Sequence, residues 1–461
     1  MQRWASSSTA RFWRTAPRVV PRRLFGSVQR IKVSCASSGS ITVSLHNISE
    51  HRPTAPLMVY IPPFPQETDG YRNKSDAVIP SWLRQYPTAV INYRWDGLFS
   101  DIDSSPPRSS QSSSSSSSAG AALHNVYWPT PIHDVLFGYS WIVQNLGAPP
   151  LSSRNSEEPT SRRDLYVCSS YLGASLAAGL ALTESHWDQP TAVRGLINFN
   201  GIYNWTTFLP DHPINRLKED ESSSSSSLFS LLEQQAPALF QNPDNLFDPF
   251  ASACLFFHSA SLHVPPDFHT PLLERPSSGM TKAIDALSSI SSSSSSDSSS
   301  STSSLAMKPP RKGYLTFPPR NSTLKLPSAL LLHETTPPSH SPRRKGKGKA
   351  GGTALFGGSY SFENSFKTQA HELAGLMRRS INMFELRRER ISEDYYDGQI
   401  EGFGSEAEER VQVADVGGLI PRASSDGNGT GQQNENDDDE DGFGLNELGQ
   451  EMVAQWLHEN M

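Results

Sequence analysis

The chain has 461 residues, of which 36% are hydrophobic, 19% are charged and 71 are serine, with a net charge of −7. At about 150 residues per domain this length would suggest three domains, yet serine blocks at 109–118, 222–227 and 288–304, and biased segments at 337–358 and 423–442, cannot build a core. What remains, roughly 300 residues, suits one large domain with disordered insertions near 103–121, 218–228, 276–311, 337–358 and 423–442, and excludes a collagenous chain, a coiled coil or a small disulfide scaffold.

Residues 1–49 contain no Asp or Glu but eight Arg and Lys, from Arg3 to Lys32. An arginine- and serine-rich, acid-free start reads as a mitochondrial transit peptide over about 1–28, with the mature domain over 29–461. The alternative is a basic tail on a cytoplasmic protein. Next, 31–35 and 41–45 alternate apolar with polar residues around Ser38-Gly39, which predicts an antiparallel hairpin with one buried face. The apolar runs 56–61 and 88–92 predict strands in the middle of a sheet covered on both sides. Ile132, Val135, Leu136, Tyr139, Ile142 and Val143 have helical spacing. The uncharged stretch 165–183 is long enough to cross a bilayer, but its Gly residues and flanking pattern predict a strand at 165–168, a tight turn and a helix at 174–184.

Further strands are expected at 193–199 and 326–332, a helix at 366–380, strand candidates at 382–386 and 411–416, and a last amphipathic helix carrying Leu445, Leu448, Met452, Val453, Trp456 and Leu457. Strands alternating with helices predict an α/β fold with a mostly parallel central sheet and helices on both faces. The serine blocks fall between elements, where loop closure entropy grows only slowly with length.

The order of the pieces 56–64, Asn92-Tyr93-Arg94-Trp95, 128–135 and 163–182 resembles the hormone-sensitive-lipase-like branch of the α/β-hydrolase fold. That branch carries Tyr-Arg after its fourth strand and Pro-x-x-x-x-Asp before the nucleophile strand. The resemblance implies carboxylic-ester hydrolysis, with a Gly-x-Ser-x-Gly elbow, a His-Gly-Gly-Gly-type oxyanion loop, an acid after the seventh strand and a histidine after the eighth.

Each motif departs from that pattern. On the elbow stand Ser169-Ser170-Tyr171-Leu172-Gly173, so Tyr171 occupies the nucleophile position between the small residues Ser169 and Gly173, and a phenol with a pKa near 10 is a poor substitute. Two other registers are open: Ser170, which puts bulky Leu172 in the turn, and Ser175, which satisfies Gly-x-Ser-x-Ala on spacing. At the oxyanion loop stand Pro62, Pro63, Phe64 and Pro65; proline has no N–H, and one lost donor costs about a hundred- to a thousand-fold in rate. Glu334 is the acid candidate after the seventh strand. After His340 only His371 and His458 remain, neither in a strand-to-helix loop.

Other patterns carry less chemistry. Cys35, Cys168 and Cys254 have no Cys-x-x-Cys spacing, and His258 and His263 lack matched acids, so neither a disulfide framework nor a metal site is expected. No phosphate-loop, dinucleotide or nucleic-acid motif is present, and no cofactor is implied. The basic run 343–349 could meet RNA, anionic lipid or an import receptor but reads as a solvated insertion, and the arginines over 378–390 form a second basic cluster after an apolar helical stripe. Asp134 reads as an acid favourable to a helix dipole, and Trp95, Trp128, Trp141, Trp187 and Trp205 read as packing residues. Residues 228–273 fall where this fold inserts a cap. Two readings follow: a mitochondrial, non-catalytic α/β-hydrolase-like protein binding an unidentified protein partner, or an active esterase acting on a small-molecule ester through Ser175 or an altered Tyr171.

Overall fold

The computed structural model describes residues 28–65, 79–97, 126–148, 162–215, 228–262, 312–335, 364–386, 405–417 and 445–461. The leader and the biased insertions lie outside these residues, Val28 and Leu228 excepted, as do the run 343–349, His263 and the end of the expected cap.

The hairpin forms from β1 (Gln29–Ser34) and β2 (Ser40–His46). Gly39 turns it at φ 103, a conformation that side chains with a Cβ rarely adopt. Ile41, Val43 and Leu45 point inward, as the alternation requires. β3 (Leu57–Ile61) is buried along its whole length and lies between β4 (Thr88–Asn92) and β5 (Arg163–Ser170), parallel to both. β6 (Thr191–Phe199), β7 (Ser328–His333) and β8 (Val411–Asp415) extend the sheet in parallel. The order is β1-β2-β4-β3-β5-β6-β7-β8, antiparallel only at the β1–β2 and β2–β4 pairings.

Among the described residues six α-helices accompany it: α1 (Thr130–Leu146), α2 (Tyr171–Thr183), α3 (Leu228–Phe240), α4 (Phe366–Ser380), α5 (Ser405–Arg410) and α6 (Glu447–Asn460). Local chemistry sets their starts. α1 has proline in its first turn, Ser365 and Thr368 form a reciprocal capping box at α4, and Asn446 accepts from the Gly449 N–H at α6. Helices cover both faces. Asn198 of β6 donates to the Ala174 carbonyl of α2 at 2.9 Å. Gly195, an odd number of positions earlier, faces the other way, where a Cβ would stand 2.8 Å from the Trp456 ring of α6.

The Tyr-Arg after β4 and the Asp in α1 meet. Arg94 donates from Nε and Nη2 to the two Asp134 oxygens at 2.9 and 2.6 Å, and its backbone N–H adds a third bond at 3.1 Å. Asp134 is therefore not a helix-dipole partner, as its position suggested, but one half of a buried clamp between the end of β4 and α1.

Two further expectations are corrected. Residues 382–386 are not a strand: Ile381–Leu386 continue α4 as a π-helical segment. The edge of β7 is already taken by β8, and Glu385 is held where it is by the Leu326 N–H at 3.0 Å and by Arg410. Trp187 is not a packing residue, being 62% exposed, whereas Trp95, Trp128 and Trp205 are buried. The uncharged stretch 165–183 divides into β5 and α2, and no helix among the described residues is long and apolar enough to cross a membrane. The three cysteines are free and buried.

Candidate functional site

The carboxyl ends of β3, β5, β6 and β7 converge on the start of α2. β5 passes into α2 with no intervening loop, and the residue at the junction, Tyr171, has φ 49. A left-handed tyrosine stores strain of about 1–3 kcal/mol, which the surrounding contacts must hold. Gly173 allows the loop after β3 to close on this turn. A Cβ there would stand 2.2 Å from the Pro62 carbonyl oxygen and 2.4 Å from Ser169 Oγ.

That loop presents acceptors to the turn. The Pro63 carbonyl accepts from the Gly173 N–H at 3.1 Å and from the Tyr93 hydroxyl at 3.4 Å, and the Ile61 carbonyl accepts from Ser169 Oγ at 2.7 Å. Pro62 and Pro63 thus bring carbonyl oxygens, not N–H groups, to the position that the resemblance assigns to an oxyanion loop. Phe64 contributes its ring, which stacks on Tyr171 with centroids 5.8 Å apart and planes 9° from parallel.

Tyr171 is only 7% exposed. Edges of Phe199 and Phe366 meet it at 5.7 and 5.9 Å, and Phe229 of α3 packs on Phe366 at 5.0 Å. Burial first, and then the charge of Glu334, push the phenol up to about 12. At pH 7 the phenol therefore stays protonated, and this side chain has little nucleophilic form to offer.

Beside it, Asn200 (φ 50) ties β6 to β7: its N–H donates to the Leu332 carbonyl, and its Oδ1 accepts from the Glu334 N–H, each at 2.9 Å. Burial raises the Glu334 carboxyl. His333, at the end of β7, is buried with Nδ1 unpaired among the described residues, and its ring lies 5.8 Å from that of His371 on α4. Burial lowers both imidazoles. Among the described residues no hydrogen bond links Tyr171 to either histidine. β8 ends at Asp415, which accepts from Thr335 and from the Gly417 N–H, and the one histidine beyond it in the sequence, His458, is exposed on α6.

The two serine registers are placed differently. Ser170 Oγ is buried without a hydrogen-bond partner among the described residues. Ser175 is buried inside α2, where Oγ donates to the Ile202 carbonyl at 2.6 Å and accepts from Trp205 Nε1 at 3.2 Å. Its hydroxyl proton and an oxygen lone pair are thus occupied in joining α2 to the segment after β6.

Sequence reasoning missed the aromatic wall of Phe199, Phe229 and Phe366, and also Asn200, whose Asn-Gly position after a strand was the available signal. It also missed a polar cluster around Glu372 of α4. Glu372 accepts from His258 Nε2 at 3.1 Å, Lys312 Nζ at 2.7 Å and Asn204 Nδ2 at 3.2 Å. Burial works to raise this carboxyl, but the hydrogen bonds and the Lys312 charge outweigh it and hold it at about 2. His258 is thereby engaged by an acid. No group of three or more His, Cys, Asp or Glu among the described residues is placed to hold a metal.

No family model and no curated protein matches the chain. Among solved structures it is similar to an esterase from Pyrobaculum calidifontis (14% identity, TM-score 0.28, 50% of this chain and 61% of that one). Others are the carboxylesterase EstE1 from a metagenomic library (13%, 0.29, 50% and 64%) and carboxyl esterase 2 from Tuber melanosporum (10%, 0.29, 50% and 62%). The match thus spans less than two thirds of each of these chains. The fold is set by the strand order, the strand polarity and the direct passage from β5 into α2. By these features the chain has the α/β-hydrolase fold.

Proposed function

We propose that the protein is a non-catalytic member of this fold that works as a binding or scaffolding subunit in mitochondria. The carrying observation is Tyr171: it stands at the strand-to-helix turn where esterases of this fold keep a serine, and its ring is enclosed by Phe64, Phe199 and Phe366. The prolines of the β3 loop and the lack of any histidine between β8 and α6 agree with it. The acid-free, arginine-rich start of the chain supports the compartment.

A fluorophosphonate probe should leave the purified protein unlabelled. Labelling that disappears in Ser175→Ala would show that a serine still acts as nucleophile and would sink the proposal. Ser175→Ala should lower stability by about 1–3 kcal/mol, because the Ile202 carbonyl and the Trp205 indole N–H lose a buried partner. Tagged protein recovered from mitochondria should carry a stoichiometric protein partner, identified by mass spectrometry; recovery of the chain alone would count against a scaffolding role.

A further inference from the structure

At the end of the sheet opposite Tyr171, the starts of β5, β6, β7 and β8 surround a pocket of about 270 Å³, near the lower end for small-molecule sites, about 300–1,000 Å³. Its lining includes four cations, Arg162, Arg194, Lys325 and Arg410, together with the exposed Trp187. Two carboxylates answer them. Asp164 accepts from Arg162 at 2.6 Å and Arg194 at 3.3 Å, and Glu385 accepts from Arg410. Lys325 is exposed and has no side-chain hydrogen bond or ion pair among the described residues.

Two of the arginines are fixed by neutral groups. Arg194 donates from Nη1 to the His186 carbonyl at 2.8 Å and from Nη2 to the Gln189 carbonyl at 2.9 Å, while Arg410 donates to the Leu326 carbonyl. Carbonyl anchors orient a guanidinium without cancelling its charge, and among the described residues two positive charges are left over. Burial first, and then the like charge of Arg162, lower Arg194, with Asp164 opposing them. A polyanion carrying two to three negative charges would relieve this crowding where a monoanionic carboxylate would only halve it, and arginine forks match the oxygens of a phosphate. An exposed indole beside such a site offers a face on which a planar ring can stack.

We infer that this pocket binds the phosphate groups of a small phosphorylated ligand whose planar ring stacks on Trp187, a nucleoside diphosphate being the simplest fit. The site is independent of the turn at Tyr171, so it stands or falls apart from the reading of that turn.

The test is titration calorimetry of the full chain at low ionic strength with ADP, with inorganic pyrophosphate and with a single-stranded oligonucleotide. ADP and pyrophosphate should each bind once per chain, ADP more tightly. Arg162→Gln combined with Lys325→Gln, both at exposed positions, should weaken both by at least about tenfold, since each removes a charged donor. Trp187→Ala should abolish the advantage of ADP and leave pyrophosphate unchanged. Unaltered circular dichroism and melting would show that the variants fold. Absence of binding at millimolar concentrations, affinity unchanged in the double variant, or binding of the oligonucleotide alone would each overturn the inference.

Discussion

Arg94→Met should cost about 3–5 kcal/mol of stability, the largest loss expected from any single side chain outside the apolar core, and should be read as a shift of the urea midpoint at unchanged slope. Asp134 is completely buried, while its partner is 19% exposed, so removing the arginine strands a carboxylate that water cannot reach. Methionine keeps the apolar stem, which confines the effect to the charge. The loss should shrink in Arg94→Met combined with Asp134→Leu, because replacing both members of a buried pair by apolar groups removes the stranded charge. An Arg94→Met variant as stable as the parent would mean that water solvates Asp134 in solution and that the clamp does not hold β4 to α1. Cys35 reports on the same place: burial and then the neighbouring Asp134 push its thiol up to about 12, so it should stay inert to thiol reagents until the protein unfolds.

Acid should weaken the protein in two stages. Burial, and then the Lys312 charge, depress His212 from 6.5 to about 4. Between these values the unfolded chain binds a proton that the folded chain refuses, so stability falls as pH falls through this range. Glu372 adds the second stage. Its folded value of about 2 lies below the ordinary 4.5; its contribution is present in full above 4.5 and is lost as pH falls from there towards 2. The gap corresponds to roughly 3 kcal/mol, and the side chain, 22% exposed, is enclosed enough for most of it to be felt. Glu372→Gln should therefore cost about 3 kcal/mol at pH 6 and little at pH 2.5, while leaving the stage between 6.5 and 4 in place. A cost equal at both pH values would show that the carboxylate draws no net stability from His258, Lys312 and Asn204.

What could be foreseen divides along a physical line. The unbroken apolar run of β3, the alternation of β2 and the helical stripe of α1 are periodic patterns, and each is buried on the face that its period required. The segment after α4 misled because Ile381, Met383, Phe384 and Leu386 suit a strand as well as a helix; only the occupied edge of β7 decides between them. Asp134 misled for a similar reason: an acid at a helix start has a local explanation, and nothing local announces Arg94, forty positions earlier. Tyr171 could be placed by small residues two positions to either side, a local rule. Its enclosure by Phe64, Phe199 and Phe366 joins four distant parts of the chain, and no spacing encodes that.

The Tyr171 ring is in effect a permanent guest. It fills from within the space among Phe64, Phe199 and Phe366 at the carboxyl end of the sheet, and it does so at a concentration that no dilution can lower. A small molecule seeking that place must compete with a covalently tethered occupant and must also bear the cost of re-exposing the Phe64 face stacked on it and the Phe366 ring packed against it. Evolution of a new ligand here would have to begin by evicting the tenant, whereas the far end of the sheet is open to change without that first step.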